Sequence, residues 1–253
     1  MFTMNTKKNI YLIIGASSDI GLELVRELDM QEEQATFFLH YHSDSHALEE
    51  LKLKETNQKI LIQADLSESQ GAATIVSEVE KYCDAPTHIV NLPAAKFSYC
   101  KLKNFDRDAF VKKINIQVLS FIEIIQNFLP VMVKRKEHDK IVSIISSCAI
   151  GKPPKFMEDY IMEKYLLLGF MKALAADYEG KEININSVSP SMIETKFLNQ
   201  IDDRIVQMNA ENSAENRNAS VSDIVPAIVF LLSDAANYMH GVNLNLSNGN
   251  TIE

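Results

Sequence analysis

The sequence predicts a single α/β domain over residues 1–253, with a doubly wound parallel sheet and helices on both of its faces. Strand-like and helix-like segments alternate along almost the whole chain, which requires right-handed crossovers and so a parallel sheet between helices. A chain of 253 residues with an apolar fraction of 46% can bury a large core as one domain. No repeat, low-complexity tract or flexible linker divides it.

The first half of the chain alternates four predicted strands with four predicted helices. The strands cover 9–14, 35–40, 59–63 and 87–91, and the helices cover 20–30, 43–56, 69–82 and 106–136. The second helix opens with Ser and Asp residues, which cap helices, and then repeats leucine at helical spacing. Pro130 predicts a break or kink in the long fourth helix, because proline removes a backbone hydrogen bond.

The second half continues the alternation around one polar segment. The strands cover 140–146, 183–189 and 241–247, and the helices cover 157–178 and 221–234. The Asn-rich segment 196–218 is expected to form most of a mobile substrate loop around 191–218. In such sheets ligands bind beyond the carboxyl ends of the strands, so the chemistry is expected in the loops that follow strands.

Composition argues against several classes of partner. The net charge is −9 and the basic residues are scattered among acids, so no basic stripe is present to bind nucleic acid. The three cysteines lack paired metal-ligand spacing, which predicts buried thiols in a reducing compartment and no metal site. The longest apolar stretch, 118–133, is interrupted by Glu123, Gln126 and Asn127, and a membrane span needs roughly 20 apolar residues. With no signal-peptide pattern, we expect a cytoplasmic protein without a membrane partner.

The turn between the first strand and the first helix is rich in small residues. It reads IIGASSDIG over residues 13–21 and contains Gly15 and Gly21. Glycines in such a turn let backbone N–H groups approach a pyrophosphate, which the positive end of the helix dipole also attracts. A glycine here is also often required for steric reasons alone, so the turn by itself does not decide the function.

A second motif, YIMEK at 160–164, carries groups suited to proton transfer. Tyr160 and Lys164 are four residues apart and therefore share one face of a helix. The ammonium can therefore act on whatever the phenol contacts. We expect a Lys164 ammonium to lower the phenol pKa from about 10. Taken alone, such a pair also arises by chance on many helices.

These motifs resemble the short-chain dehydrogenase/reductase family, classical type, over nearly the whole chain. The resemblance implies a Rossmann-type fold and reduction of a carbonyl to a secondary alcohol by hydride transfer, with the tyrosine as acid and base. In length and layout the chain resembles the 3-oxoacyl-[acyl-carrier-protein] reductases, so a small-molecule or carrier-bound substrate is expected, such as a 3-oxoacyl thioester or a keto sugar. A sugar-nucleotide epimerase or dehydratase generally has a longer C-terminal substrate domain.

The resemblance also assigns the catalytic residues. Ser147 ends the predicted fifth strand, lies 13 residues before Tyr160, and is expected to hold the substrate oxygen. Asn115 on the long helix is expected to support a water relay between Lys164 and solvent. Without this context, a serine here is as readily a helix cap and an asparagine a satisfied core amide. The expected catalytic set is Asn115, Ser147, Tyr160 and Lys164.

The family's cofactor is a nicotinamide dinucleotide, and its motifs map onto many positions. Asp65 is expected to hydrogen-bond the adenine, and Thr195 to lie near the nicotinamide carboxamide. The expected cofactor-binding residues are Gly15, Ser17, Ser18, Asp19, Ile20, Gly21, Tyr41, His42, Ser43, Asp65, Leu66, Asn91, Tyr160, Lys164, Pro190, Ile193 and Thr195.

The end of the second strand favours NADP(H), with NAD(H) as the alternative. Tyr41 stands where NAD-preferring enzymes of this fold place an acid. His40, His42 and Ser43 have groups that donate hydrogen bonds to a 2′-phosphate. Asp19 argues the other way, because its carboxylate would oppose that phosphate if it faced the ribose. The histidines could equally cap the second helix without binding a ligand.

Four positions where the family's motifs have glycine carry another residue in this chain: Asp19, Ala94, Ser191 and Asn250. Each replacement questions a local backbone conformation, because glycine tolerates positive φ without strain. These losses are the only support for the alternative function, a non-catalytic dinucleotide-binding partner or redox sensor. The resemblance, together with the strongly apolar helical stretch 165–178, also predicts a homo-tetramer or homo-dimer.

Overall fold

Seven short runs rich in β-branched and aromatic residues form one sheet. The structure is a computed structural model that describes residues 8–97, 99 and 101–252. Its strands are β1 (Ile10–Ile14), β2 (Thr36–Tyr41), β3 (Gln58–Gln63), β4 (His88–Asn91), β5 (Asp139–Ile144), β6 (Ile183–Pro190) and β7 (Asn243–Leu246). Their order is β3-β2-β1-β4-β5-β6-β7, and every neighbouring pair is parallel.

Helices connect the strands and cover both faces of the sheet. They are α1 (Asp19–Gln31), α2 (His46–Glu50), α3 (Gly71–Glu80), α4 (Arg107–Ile114), α5 (Ser120–Arg135), α6 (Glu158–Asp177), α7 (Asp203–Glu211) and α8 (Val221–Leu232). Buried residues of α3, α5 and α6 form one core with one face, and those of α1, α2 and α8 form a second core with the other. The predicted doubly wound parallel sheet is confirmed.

The central strand shows how the sequence supplies two cores at once. Leu12 and Ile14 point into the first core, whereas Tyr11 and Ile13 point into the second. Side chains alternate between the faces of a strand, so a strand covered on both faces tends to be apolar throughout. In β4 the polar residues stand at the two ends of the strand, whereas β6 buries polar side chains along its length and satisfies them by hydrogen bonds.

The strand order reverses between β1 and β4. From β1 the chain proceeds outward to β2 and β3, and it then returns to the other side of β1 to build β4 to β7. The segments that leave β1 and β4 consequently diverge from adjacent strands, which opens a crevice at their carboxyl ends. The predicted glycine turn borders this crevice.

The second predicted helix is much shorter than expected. We predicted a helix over 43–56, but α2 covers only His46–Glu50. The Lys59 ammonium, on β3, donates hydrogen bonds to the carbonyl oxygens of Leu48 at 2.6 Å, Glu49 at 2.8 Å and Leu51 at 2.6 Å. A cation that binds these terminal carbonyls stabilises the helix end at this point, which leucine periodicity does not reveal.

The long helix is interrupted at a different place from the one predicted. Helical structure runs from Arg107 to Arg135, and its irregular turn is a π-helical segment at Asn115–Leu119. Pro130 lies inside α5 without ending it. Pro130 and Gln126, whose carbonyl loses its helical partner, are both exposed, so water can satisfy that oxygen.

This continuous helical stretch also has the length and composition of a membrane span. Arg107–Arg135 contains 29 residues, and its most apolar window has a mean hydropathy of 1.6. Half of that window is buried inside the fold, as is common for a helix that packs on a sheet. The prediction that the chain has no membrane partner stays a prediction.

A buried ion pair joins three parts of the fold. The Arg135 guanidinium at the end of α5 donates to the Asp139 carboxylate at 2.8 Å and to the Ala85 carbonyl at 2.8 Å, and it also binds the Pro86 carbonyl. The Asp139 side chain is fully buried. Loss of the arginine would leave a buried carboxylate without this partner, which is far more costly than loss of an exposed pair.

We expect Arg135→Met to lower the free energy of unfolding by about 3 kcal/mol, measured by urea denaturation. The matched control is Arg26→Met, because Arg26 is 54% exposed and pairs only with Glu23 on its own helix. The control should change stability by less than about 0.5 kcal/mol. Equal effects of the two substitutions would contradict the role assigned to Arg135.

Candidate active site

A cavity of about 1010 Å³ lies along the crevice at the carboxyl ends of the strands. Its walls come from the loops that follow β1, β3, β4, β5 and β6 and from the first turns of α6. Of the predicted site residues, it is lined by Gly15, Ser17, Ser18, Asp19, Ile20, His42, Asp65, Leu66, Ser147, Tyr160, Lys164, Pro190, Ile193 and Thr195. Five others do not line it, namely Gly21, Tyr41, Ser43, Asn91 and Asn115.

The glycine turn depends on two glycines for different reasons. Gly15 has φ +78°, and a Cβ there would lie 3.2 Å from the backbone nitrogen of Pro93 in the loop after β4. At Gly21 a Cβ would lie 2.5 Å from the Ala16 carbonyl oxygen, so this glycine packs the helix onto the turn and does not face the cavity. Ser18 caps α1 by accepting the Gly21 N–H at 3.1 Å. The turn thereby directs the N-terminus of α1 at the cavity.

Asp19 links this turn to the loop after β6. Its carboxylate accepts the Lys196 backbone N–H at 2.7 Å and lies 4.0 Å from the Lys196 ammonium. The carboxylate that replaces a family glycine therefore has a partner on the opposite wall of the cavity. This contact explains how an acid is accommodated at the N-terminus of α1.

His40 has a structural role. The Gly15 N–H donates to Nδ1 at 3.0 Å, so the proton is on Nε2, which donates to the Ala64 carbonyl at 3.1 Å. Burial lowers the pKa of His40 to about 4. The suggestion that His40 donates to a phosphate is therefore wrong, because the ring is neutral and both nitrogens are used. Tyr41 packs against the second core, and Ser43 also lies away from the cavity.

The end of the cavity beside β2 and β3 contains a pair of interacting polar residues. His42 Nε2 lies 3.3 Å from an Asp65 carboxylate oxygen. Asp65 also accepts the Ser67 backbone N–H at 2.8 Å. Hydrogen bonds from Ser67, more than the charge of His42, lower the pKa of Asp65.

The two predicted asparagines lie behind the cavity wall. Asn91 is buried at the end of β4, where its amide N–H donates to the Ser143 hydroxyl at 3.2 Å. Asn115 opens the π-helical segment, and its amide N–H donates to the Ser67 carbonyl at 3.3 Å. Its neighbour Ile116 lines the cavity instead. The first asparagine thus joins β4 to β5, and the second joins the π-helical segment to the loop after β3.

Tyr160 and Lys164 lie one turn apart on α6 and both line the cavity. The Lys164 ammonium is 5.7 Å from the centroid of the Tyr160 ring. Burial raises the pKa of the Tyr160 phenol, and it lowers the pKa of Lys164 to about 8. The expected lowering of the phenol pKa by Lys164 is not found in this structure: Lys164 is not among the groups that shift this pKa, and Cys148 and Glu163 act in the same direction as burial.

Two adjacent serines, Ser146 and Ser147, line the same cavity as Tyr160. Of the two, Ser146 opposes the rise in the phenol pKa that burial causes. Ser146 has extended backbone, with φ −175° and ψ 146°, and its hydroxyl accepts the Cys148 backbone N–H at 3.2 Å in the tight turn that follows. The spacing of 13 residues selected Ser147, and the structure adds its neighbour Ser146 to the cavity wall.

The replaced glycines do not strain the backbone. Positive φ among non-glycine residues occurs at Gln34, Lys136, His138, Phe156, Asn216 and Asn248. None of the four replacement positions, all of which the structure describes, is among them. The concern about their conformation is therefore wrong, because these positions do not use the freedom that only glycine offers.

The other end of the cavity is apolar. Phe97, Met157 and Ile201 form a small buried cluster. The Phe97 ring packs edge-on against Tyr160, with ring centroids 5.6 Å apart. Within the segment expected to be a substrate loop, a 3-10 turn at Lys196–Gln200 and helix α7 pack partly buried side chains onto this cluster.

The residues present fit a nicotinamide dinucleotide. Gly15 lines the cavity with a positive φ that side chains rarely adopt, and the N-terminus of α1 supplies backbone N–H groups for a pyrophosphate. A phenol, an ammonium and a serine hydroxyl occupy the wall between this turn and the apolar end. No group of three or more His, Cys, Asp or Glu side chains able to hold a metal occurs in the part of the chain that the structure describes.

Comparison with known proteins identifies the family. A family model described as enoyl-(acyl carrier protein) reductase matches residues 15–251. An uncharacterized oxidoreductase of Bacillus subtilis, YmfI, is 28% identical over 94% of this chain and 97% of its own length. The NADH-dependent L-xylulose reductase of Ambrosiozyma monospora is 26% identical over 94% of this chain and 88% of its own.

A solved structure has the same fold over almost the whole chain. The 3-oxoacyl-[acyl-carrier protein] reductase of Brucella melitensis superposes with a TM-score of 0.85 at 18% identity, covering 98% of this chain and 93% of that one. The sheet order, the glycine turn and the Tyr160–Lys164 pair agree with these relationships. The chain therefore belongs to the short-chain dehydrogenase/reductase family of NAD(P)-dependent oxidoreductases.

Proposed function

We propose that this protein reduces a ketone to a secondary alcohol, with Tyr160 as the acid. The observation that carries the proposal is the convergence of Tyr160, Lys164 and Ser146 on one wall, between a dinucleotide turn and an apolar chamber. The alternative of a non-catalytic sensor rested on the replaced glycines. Because those positions need no glycine, it has lost its support.

The chemistry requires one hydride and one proton. A bound reduced nicotinamide dinucleotide, held by the Gly15 turn and the N-terminus of α1, would supply the hydride. Tyr160 donates its phenolic proton to the oxygen, and the raised pKa of the buried phenol keeps that proton in place near neutral pH. Ser146 would hold the substrate oxygen beside the phenol, the role we first assigned to Ser147.

Lys164 is suited to return a proton to Tyr160. With a pKa of about 8 it is accessible in both protonation states close to neutrality. Asn115 remains our proposed support for a path to solvent, because it sits where the π-helical segment begins and joins α4 to the loop after β3. Its amide N–H is already bonded to Ser67, so this support is structural.

Among possible substrates we place a 3-oxoacyl thioester before a keto sugar. The chamber beside Tyr160 is walled by Phe97, Met157 and Ile201, with further aromatic and aliphatic side chains from 197–206. An acyl chain gains from burial against such a wall, whereas each sugar hydroxyl would need a polar partner. The name of the Brucella melitensis 3-oxoacyl-[acyl-carrier protein] reductase favours the thioester as substrate. The L-xylulose reductase shows that the family also contains sugar reductases.

For the cofactor we propose a preference for NADP(H). Asp19 and Asp65 are the acidic residues lining the cavity in the described chain, and both already have partners, Lys196 for the first and Ser67 and His42 for the second. No unpaired carboxylate is left there to bind the two ribose hydroxyls of NAD(H). His42 lines the same wall, and its imidazolium form would donate to a phosphate as well as to Asp65.

We further propose a cytoplasmic homo-oligomer, a tetramer or a dimer. Met162, Tyr165 and Leu166 on α6 are 39%, 46% and 48% exposed, and with Gly169 they form a stripe at helical spacing. An exposed apolar stripe with a glycine permits close packing against a second helix. The buried face of α6 is already used by the core of its own subunit.

The first test of this function concerns the acid. Tyr160→Phe removes only the hydroxyl, so we expect carbonyl reduction to fall by ~10²–10⁴-fold while the cofactor Kd, measured by calorimetry, hardly changes. Near-normal kcat in this variant would exclude Tyr160 as the proton donor. The assay follows oxidation of NADPH and NADH across acyl, sugar and ketone substrates.

The same assay distinguishes the two serines. Ser146→Ala should lower kcat by roughly 10²-fold, as expected for loss of a donor at the reacting oxygen. Ser147→Ala serves as the matched control and should retain most activity. The opposite order of effects would restore Ser147 as the catalytic serine.

The cofactor proposal predicts a higher kcat/KM for NADPH than for NADH with any accepted carbonyl. His42→Ala should reduce the NADPH advantage by roughly 10-fold through loss of a hydrogen bond to a charged group. His46→Ala is the control, because His46 is exposed, pairs with Glu50 and does not line the cavity. A clear NADH preference that His42→Ala leaves unchanged would overturn the proposal.

The oligomer proposal predicts that Leu166→Glu lowers the mass measured by light scattering at micromolar concentration. A charge placed in an apolar helix contact would separate the subunits. Met30→Glu is the control, because Met30 is 61% exposed on α1 and lies outside the stripe. A monomeric mass for the unmodified protein would reject the idea directly.

A further inference from the structure

Two loops at the apolar end of the cavity concentrate positive charge. They follow β4 and β5, and their lysines line the main cavity or the smaller cavity beside it. We call these lysines the lysine rim: Lys96, Lys101, Lys103, Lys152 and Lys155. The side chains are exposed, and the chain as a whole has a net charge of −9, so the rim reverses the sign of the charge locally.

The smaller cavity continues the substrate chamber outward. It has a volume of about 600 Å³ and shares Tyr99 and Ile205 with the main cavity. No Asp or Glu occurs among the described residues that line it, and the acids of the main cavity, Asp19 and Asp65, belong to its cofactor end. The Asp202 carboxylate lies close enough to act on Tyr99. Burial raises the pKa of Tyr99, and Cys148 and Asp202 raise it further.

Aromatic groups are held among these lysines. Phe156 has φ +62°, a left-handed conformation that a bulky residue adopts only when the surroundings impose it. Its ring is 47% exposed, and the Lys101 ammonium lies 5.4 Å above the ring centroid. Tyr99, 43% exposed, stands at the junction of the two cavities. The entrance therefore offers apolar surface and positive charge side by side.

We propose that the lysine rim binds an anionic group, a carboxylate or a phosphate, carried by the substrate at the end remote from its carbonyl. This inference rests on the proposed function, because it assumes that the carbonyl lies beside Tyr160. The apolar chamber would then bury the body of the substrate and the rim would bind its charged tail. Ammonium groups bind phosphate and carboxylate as point charges, and several are needed because each exposed ion pair contributes little.

The test uses pairs of ketones that differ only in the tail. One pair is 3-oxobutanoyl-coenzyme A and the N-acetylcysteamine thioester of the same acid, and the other is 9-oxodecanoate and its primary amide. For the charged member we expect a KM roughly 10-fold lower with similar kcat, and a difference that shrinks as salt is added. A preference in the first pair alone identifies a phosphate tail, and in the second alone a carboxylate tail.

Charge-removal variants assign the effect to the rim. Lys96, Lys152 and Lys155 are changed together to Gln, and the matched control changes Lys52, Lys134 and Lys181 to Gln, which line neither cavity. The rim variant should lose the preference for the charged member, whereas the control should keep it. Equal KM values within both pairs, or equal behaviour of the two triple variants, would overturn the proposal while leaving the proposed function intact.

Failure of the proposed function gives a different result. If neither cofactor supports reduction of any carbonyl, the proposed function fails. Anion binding by the lysine rim is then measured separately, by calorimetry with coenzyme A and with decanoate. Weaker binding of either anion by the rim variant than by the control variant supports an anion site at the rim. Equal binding by the two variants rejects it.

Discussion

Burial of the sheet on both faces is the constraint on which the rest of this structure depends. The central strand β1 touches two cores and consists of Ile, Tyr and Leu, so the polar groups near it come from the segments that follow the strands. The reversal of strand order between β1 and β4 opens a crevice at the carboxyl edge of the sheet. The glycine turn, the Asp65 loop and the Ser146 segment all border this crevice, because each follows a strand.

The same burial determines the electrostatics of the site. Tyr160 and Lys164 lie on the side of α6 that faces the sheet, where removal of water disfavours the charged form of each. Burial also raises the pKa of Glu163 to about 7, and its carboxylate in turn opposes the fall in the pKa of Lys164. Each group therefore favours its neutral form, and of the two it is Lys164 whose pKa lies close to neutrality. In the proposed reaction the neutral phenol has a proton to give to the developing alkoxide, and Lys164 is placed to restore it.

The sequence was sufficient for the architecture and for part of the site. Alternating periodicity predicted the strands and most helices, and Tyr160 with Lys164 could be found because four residues make one helical turn. Features that depend on contacts between distant segments could not be found in this way. The end of α2 is set by Lys59 from a neighbouring strand, and His40 is a structural residue because Gly15 and Ala64 bind its two nitrogens. Counting back from Tyr160 selected Ser147, and only the structure shows that its neighbour Ser146 lines the same cavity.

The glycine turn has a consequence for how such proteins are recognised from motifs. Gly15 is required by its positive φ, and Gly21 by the backbone atoms that a side chain would strike. Position 19 has neither requirement, and its aspartate gains a partner in Lys196. A pattern search that required all three glycines would reject this chain because of position 19, where the fold accepts a residue with a side chain. A pattern that fixes the first and third positions and leaves the middle one open follows the steric requirements of the turn.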